Sequence, residues 1–291
     1  MDTSPMATDQ VIGLASLLPR ARAALGDVLL HDDGGPHECL VRSGELLVRR
    51  AAATDARNRL RRWIDRIADE AGMVHIVLRP AERGRCVEIA REIGAAPNHV
   101  HFACPIMIGT SRPVIGKRLP SPEGTVSGVV GVLDTPPSAE HGALVEGVLR
   151  HHAPGVTVRH ADVLTPDGFG DDLSLARGLR EMVADVVLVA SGTYTFDDRC
   201  PPVLARAFPA LSVVAAAGNG GSSRPWWPAA DSAVTGVGAL DARFSGTGPW
   251  VDVWEAGVDV PTDGPTQSLC TGTSFAAAVH AARMVSRPRS T

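Results

Sequence analysis

The apolar positions of the chain follow two successive patterns, and the change between them divides it into halves. From Cys39 to Arg49 they run as a strand, with Gly44 as a turn or bulge. Over Asp55–Glu70, Leu60, Trp63, Ile64 and Ile67 fall on one stripe with arginines elsewhere, which predicts a helix. Val74–Leu78 reads as a strand, Cys86–Ile93 as a short helix and Asn98–Ile108 as a further extended run. This β-α-β-α-β order predicts a small open-faced α+β domain over residues 38–108. Ahead of it, residues 1–37 hold a short apolar stretch compatible with a helix and end in the turn Asp32-Asp33-Gly34-Gly35-Pro36. After it, residues 109–128 are rich in Pro, Gly and Ser and read as a linker.

The second pattern begins at Val129-Val130-Gly131-Val132-Leu133, nearly all apolar, as a buried parallel strand requires, and Asp134 closes it. The turn Thr135-Pro136-Pro137-Ser138 leads into a helical pattern at His141–Leu149, and Val156–Val158 is another short strand. Leu173–Met182 reads as a helix with Asp171 or Asp172 near its start, and Val186–Ala190 as a buried strand ending at Ser191-Gly192. Pro202–Phe208 suggests a helix and Leu211–Ala217 a strand ending at Gly218-Asn219; Ala233–Val237 and Val251–Trp254 continue the series. Strands separated by helices, with polar residues at the strand C-terminal ends, predict a doubly wound α/β sheet over 129–291 with its site at that edge. Periodicity by itself stops at an α/β enzyme or an α/β ligand binder.

Composition narrows the classes. The 291 residues suffice for one substantial domain and a smaller one, and 44% hydrophobic against 21% charged residues indicates a packed globular protein. A net charge of -4 gives no signature for nucleic acid. Residues 1–10 carry no basic leader, and the apolar stretch 11–18 is cut by Pro19-Arg20 before it can span a bilayer, so the expectation is a cytoplasmic protein with no membrane partner. Five scattered cysteines without CxxC spacing argue against a disulfide framework and a zinc site. No strand is followed by GxGxxG or GxxxxGK[ST], which disfavours a nucleotide binder. Neither an organic cofactor nor a metal is expected, since no dense acidic loop compels a calcium site.

The chemistry gathers on Thr271-Gly272-Thr273-Ser274-Phe275-Ala276-Ala277-Ala278-Val279, where a glycine-containing turn delivers one serine to an Ala-rich run. At a helix start the Ser274 hydroxyl sits where unpaired amides favour developing negative charge; an ordinary capping serine occupies the same place. Asp134 at a strand end, His141 seven positions on, and Asn219 between glycines each have a structural reading as turn, capping or core residues. Together with Ser274 they supply a nucleophile, a base, a carboxylate that orients the base, and an amide donor for an oxyanion. Cys270, four positions before Ser274, reads as structural or modulatory.

On these residues the second half resembles the subtilisin-like serine proteases. Gly131-Val132-Leu133-Asp134-Thr135 is similar to their Asp motif, His141-Gly142-Ala143-Leu144-Val145-Glu146-Gly147 to their His motif, Ala216-Ala217-Gly218-Asn219 to the stretch bearing the oxyanion asparagine, and Gly272-Thr273-Ser274-Phe275-Ala276-Ala277 to the Ser motif. Pro136, Leu144 and Ala278 depart from the family pattern, and the Asp-to-His connection is short. The resemblance implies a three-layer, mostly parallel fold and an endopeptidase with Asp134, His141 and Ser274 as triad and Asn219 in the oxyanion hole. It also implies that Ser191, Gly192, Ala217 and Gly218 bind a peptide or protein substrate. The first half, with Pro97-Asn98-His99-Val100, resembles the inhibitory prodomains of that family, ferredoxin-like in fold, and implies an intramolecular inhibitory partner. The alternative is a subtilase-like peptide-binding or maturation partner with little turnover.

Overall fold

The computed structural model describes residues 13–103, 111–113, 125–263 and 268–286. In chain order the first part comprises α1 (Leu14–Leu25), β1 (Val28–His31), β2 (Cys39–Val48), α2 (Ala53–Leu60), β3 (Ile64–Glu70), β4 (Met73–Leu78), α3 (Cys86–Ile93) and β5 (Ala96–Ala103). A short strand, β6 (Ser111–Pro113), lies within the expected linker, most of which is outside the described residues, as is 104–108 of the expected Asn98–Ile108 run. The second part comprises β7 (Val129–Asp134), α4 (Glu140–His152), β8 (Thr157–Asp162), β9 (Phe169–Asp171), α5 (Asp172–Glu181), β10 (Val186–Val189), β11 (Ser191–Gly192), α6 (Pro202–Ala205), β12 (Val213–Ala216), β13 (Val234–Ala239), β14 (Val253–Glu255), β15 (Val260–Thr262), β16 (Ser268–Cys270) and α7 (Thr273–Ser286).

The helix expected over Asp55–Glu70 is corrected: it ends at Leu60, and Ile64–Glu70 is a strand. Leu60, Trp63, Ile64 and Ile67 match a helical stripe by spacing, but Ala71 and Gly72 follow with φ of 46° and 76°. Two consecutive positive φ values form the tight turn that matches strand twist, so β3 folds back on β4 with Glu70 opposite Met73. The first part is therefore βαββαβ, and its antiparallel strands run in the order β5-β2-β4-β3, the ferredoxin-like arrangement. The helix expected over Pro202–Phe208 is likewise shorter, ending at Ala205.

The second part is built on a six-stranded sheet, β14-β13-β12-β10-β7-β8, in which every pairing is parallel. Its inner strands are apolar on both faces because helices cover them: α4 and α7 pack on one another and on the sheet, and α5 packs on β7. The first turn of α5 is fixed by a reciprocal cap, in which Asp171 accepts from the Ser174 amide and Ser174 Oγ accepts from the Asp171 amide.

The two parts share a sheet and a core. β5 pairs antiparallel with β2 inside its own unit, and also with β9 and β11 of the second part. One face of the ferredoxin-like sheet packs with α2 and α3 around Val41, Leu46, Ile76 and Ile89. Leu40, Leu47, Met73, Val100 and Phe102 instead join the large core containing the parallel sheet and α7. An open-faced sheet has an apolar face to bury, and here the second part covers it.

Candidate active site

Asp134 stands at the C-terminal end of β7, fully buried. Its carboxylate accepts from the Thr135 amide at 2.6 Å and from His141 Nδ1 at 2.9 Å. His141 is in the first turn of α4, which Thr135 helps to hold by accepting the Gly142 amide at 2.9 Å through its Oγ1. The Nδ1 bond to a carboxylate fixes the tautomer, leaving Nε2 as the ring nitrogen able to accept a proton. Nε2 is buried and makes no hydrogen bond. The imidazole lies 6.0 Å, centroid to centroid, from Phe275, the neighbour of Ser274.

Ser274 is the second residue of α7 and is buried. Its Oγ donates to the Ala190 carbonyl at 3.0 Å, between β10 and β11, so it makes no bond to His141 here. Asn219 follows Gly218, whose φ of 83° turns the chain sharply after β12. Asn219 Oδ1 accepts from both the amide and the hydroxyl of Thr273 at 2.9 Å, tying this side chain to the start of α7. A Cβ at Gly272 would lie 3.2 Å from Asn219 Nδ2, so the amide donor is also at that helix end. Asn219 is thus bonded to the residue before Ser274, and the His141 ring neighbours the residue after it.

Ser191 and Gly192 form β11, whose partner is the chain itself: Ser191 pairs with Ala103 and Gly192 with Phe102. Ala103 also donates its amide to the Gly168 carbonyl at 2.8 Å. A cavity of about 200 Å³ adjoins this strand end, lined by Ala103, Thr135, His141 and Leu144 among others. Of the departures from the family pattern, Leu144 lines that cavity and Ala278 is fully buried in α7. Burial pushes the Cys270 thiol up to about 12, with Glu140 adding to it, so Cys270 is not a thiolate near neutrality. Sequence reading missed Thr135 and Thr273; Thr135 stands seven residues before Gly142, the spacing that links Asp134 to His141. Among the described residues no group of His, Cys, Asp and Glu is arranged to hold a metal.

The fold is similar to that of subtilisin-like protease domains. No family model matches the chain. A stretch of 71 residues, 22% of this chain, is 46% identical to a thermophilic serine proteinase of Bacillus sp. (strain AK1), of which it covers 18%. Among solved structures the chain is similar to the patellamide maturation protease PatA, with 23% identity and a TM-score of 0.50, covering 54% of this chain and 76% of that one. It also matches the prenylagaramide maturation protease PagA, with 22% identity and a TM-score of 0.49 over 53% of this chain and 72% of that one.

Proposed function

We propose that the chain is a serine endopeptidase held in check by its own first half. The observation that carries the reading is the buried Asp134–His141 pair, with Nε2 unpartnered and the ring 6.0 Å, centroid to centroid, from Phe275, the residue next to Ser274. In turnover the Ser274 hydroxyl leaves the Ala190 carbonyl and attacks the substrate carbonyl carbon, and its proton passes to His141 Nε2. Asp134 holds the resulting imidazolium; Asn219 and the Ser274 amide receive the charge on the carbonyl oxygen. As the C–N bond breaks, His141 returns the proton to the leaving amine. Water, deprotonated by the same imidazole, then hydrolyses the acyl-enzyme.

Residues 38–108 act as the inhibitory unit, because β5 occupies β11, the strand an extended substrate would pair with. The place of action in this reading is the cytoplasm, where a reducing medium keeps the buried thiols of Cys39, Cys86 and Cys270 free. The test is hydrolysis of a broad peptide library by the parent, Ser274→Ala and Ala103→Pro. Proline at 103 removes the amide that bonds Gly168, so it weakens the docked strand end. Turnover that vanishes in Ser274→Ala and rises in Ala103→Pro is expected. Turnover that survives Ser274→Ala contradicts the enzyme reading; turnover unchanged or lowered in a folded Ala103→Pro contradicts the inhibitory one.

A further inference from the structure

We infer that Trp226 fills the side-chain pocket beside Ser274, so that the residue donating the scissile carbonyl must be glycine, alanine or serine. This rests on the protease reading and adds its substrate class. The two segments expected to flank a substrate carry Gly192 and Gly218, and the Trp226 indole lies between them. A Cβ at Gly192 would come 2.2 Å from Trp226 Nε1 and 2.5 Å from Cε2; one at Gly218 would come 3.0 Å from Cδ2 and 3.1 Å from Cε2. The same ring edge thus occupies the space left by both missing side chains. Gly192 is two residues from Ala190, whose carbonyl receives Ser274 Oγ, and Gly218 adjoins Asn219. The indole therefore stands where a side chain next to the reacting carbonyl would go.

The ring is held there. Trp226 is 4% exposed and meets Tyr194 and Phe102 edge to face, with centroids 4.8 Å and 5.0 Å away. The neighbouring backbone is pinned by two bonds, Trp227 amide to Thr193 carbonyl at 2.9 Å and Thr193 amide to Trp227 carbonyl at 2.8 Å. Phe102 comes from β5, so even the strand that occupies the cleft packs against this indole. A large side chain has to displace a packed tryptophan, whereas a small one has nothing to displace.

The test uses the full chain and three serine-directed probes: a fluorophosphonate without an amino-acid side chain, and aminoalkyl diphenyl phosphonates carrying an alanine or a phenylalanine side chain. Each rate is read as labelling that Ser274→Ala abolishes. Because β5 slows both phosphonates alike, their ratio reports the pocket. The parent is expected to react roughly 100-fold faster with the alanine probe than with the phenylalanine probe, the scale on which a pocket rejects excess side-chain volume. Trp226→Ala should shrink that ratio at least about tenfold. Should Trp226→Ala misfold, Trp226→Leu must shrink the ratio in the same direction. A parent that takes both side chains equally, or a folded variant with an unchanged ratio, overturns the inference. A parent that the fluorophosphonate fails to label overturns the protease reading itself, and the inference falls with it.

Discussion

Among the described residues two aspartate–histidine assemblies are buried, and their difference separates chemistry from architecture. Asp134 holds one histidine, and that ring lies beside the helix start carrying a serine. Asp172, at the start of α5, holds two, His99 through Nδ1 at 2.9 Å and His101 through Nε2 at 2.8 Å, and also accepts the His99 backbone amide at 2.9 Å. Both of those histidines belong to β5, so the second assembly fastens the first half of the chain to the second. His99 is stacked on Phe196, 6.0 Å away, with no nucleophile in its described contacts. A carboxylate–imidazole pair becomes a catalytic candidate through what its outer nitrogen faces; the bond itself is common to both.

Breaking the two assemblies should therefore give opposite results. The largest effect is expected from Asp134→Asn, which leaves the fold intact but lets the wrong histidine tautomer form, lowering kcat by about 10⁴. Steady-state kinetics with a parallel melting curve checks this. Asp172→Ala leaves two histidines buried against no carboxylate, and unfolding in denaturant should show a loss of about 3–5 kcal/mol. Asn219→Ala should slow hydrolysis roughly 10²–10³-fold with little change in melting temperature, the size of one lost oxyanion donor.

Acid sharpens the comparison. Burial raises the Asp172 carboxyl, but the charges and hydrogen bonds of His99 and His101 more than reverse this, holding it at about 2 against an ordinary 3.8. A carboxyl lowered in the folded state stabilises above its unfolded value and ceases to do so as pH falls through its folded one. About 2 kcal/mol of stability should thus be present above pH ~4 and drain away towards pH ~2. Denaturant melts across that range check the expectation, with Asp172→Asn as the variant that flattens the slope. The smallest effect is expected at Cys270: alanine there removes a buried sulfur, costing about 1 kcal/mol and leaving Ser274-dependent labelling in place.

Most of the second half was legible because parallel strands buried on both faces leave continuous apolar runs, one ending at Asp134 and another just before Asn219. Ser274 stood out differently, through the glycine-containing turn ahead of an Ala-rich helical run. The first half misled at Ile64–Glu70, where apolar spacing fits a helix and only the Ala71-Gly72 turn betrays the hairpin. The pairing of Ala103 with Ser191 joins residues far apart in the chain, and local periodicity carries no trace of it. The same holds for Trp226, whose position between two glycines depends on three separate segments meeting. The Asp172 assembly was hidden for a related reason, since its histidines read as ordinary residues of an extended run.

The central claim is that Ser274 is a nucleophile activated by His141. It is tested most directly by exposing the pure full chain, beside its His141→Ala and Ser274→Ala variants, to a fluorophosphonate and mapping the modified peptide. The account predicts a single adduct on Ser274 in the parent, at least about 10²-fold slower in His141→Ala, where the proton acceptor is gone. No adduct should form in Ser274→Ala. An adduct on another residue, or equal labelling of the parent and a folded His141→Ala protein, would contradict it.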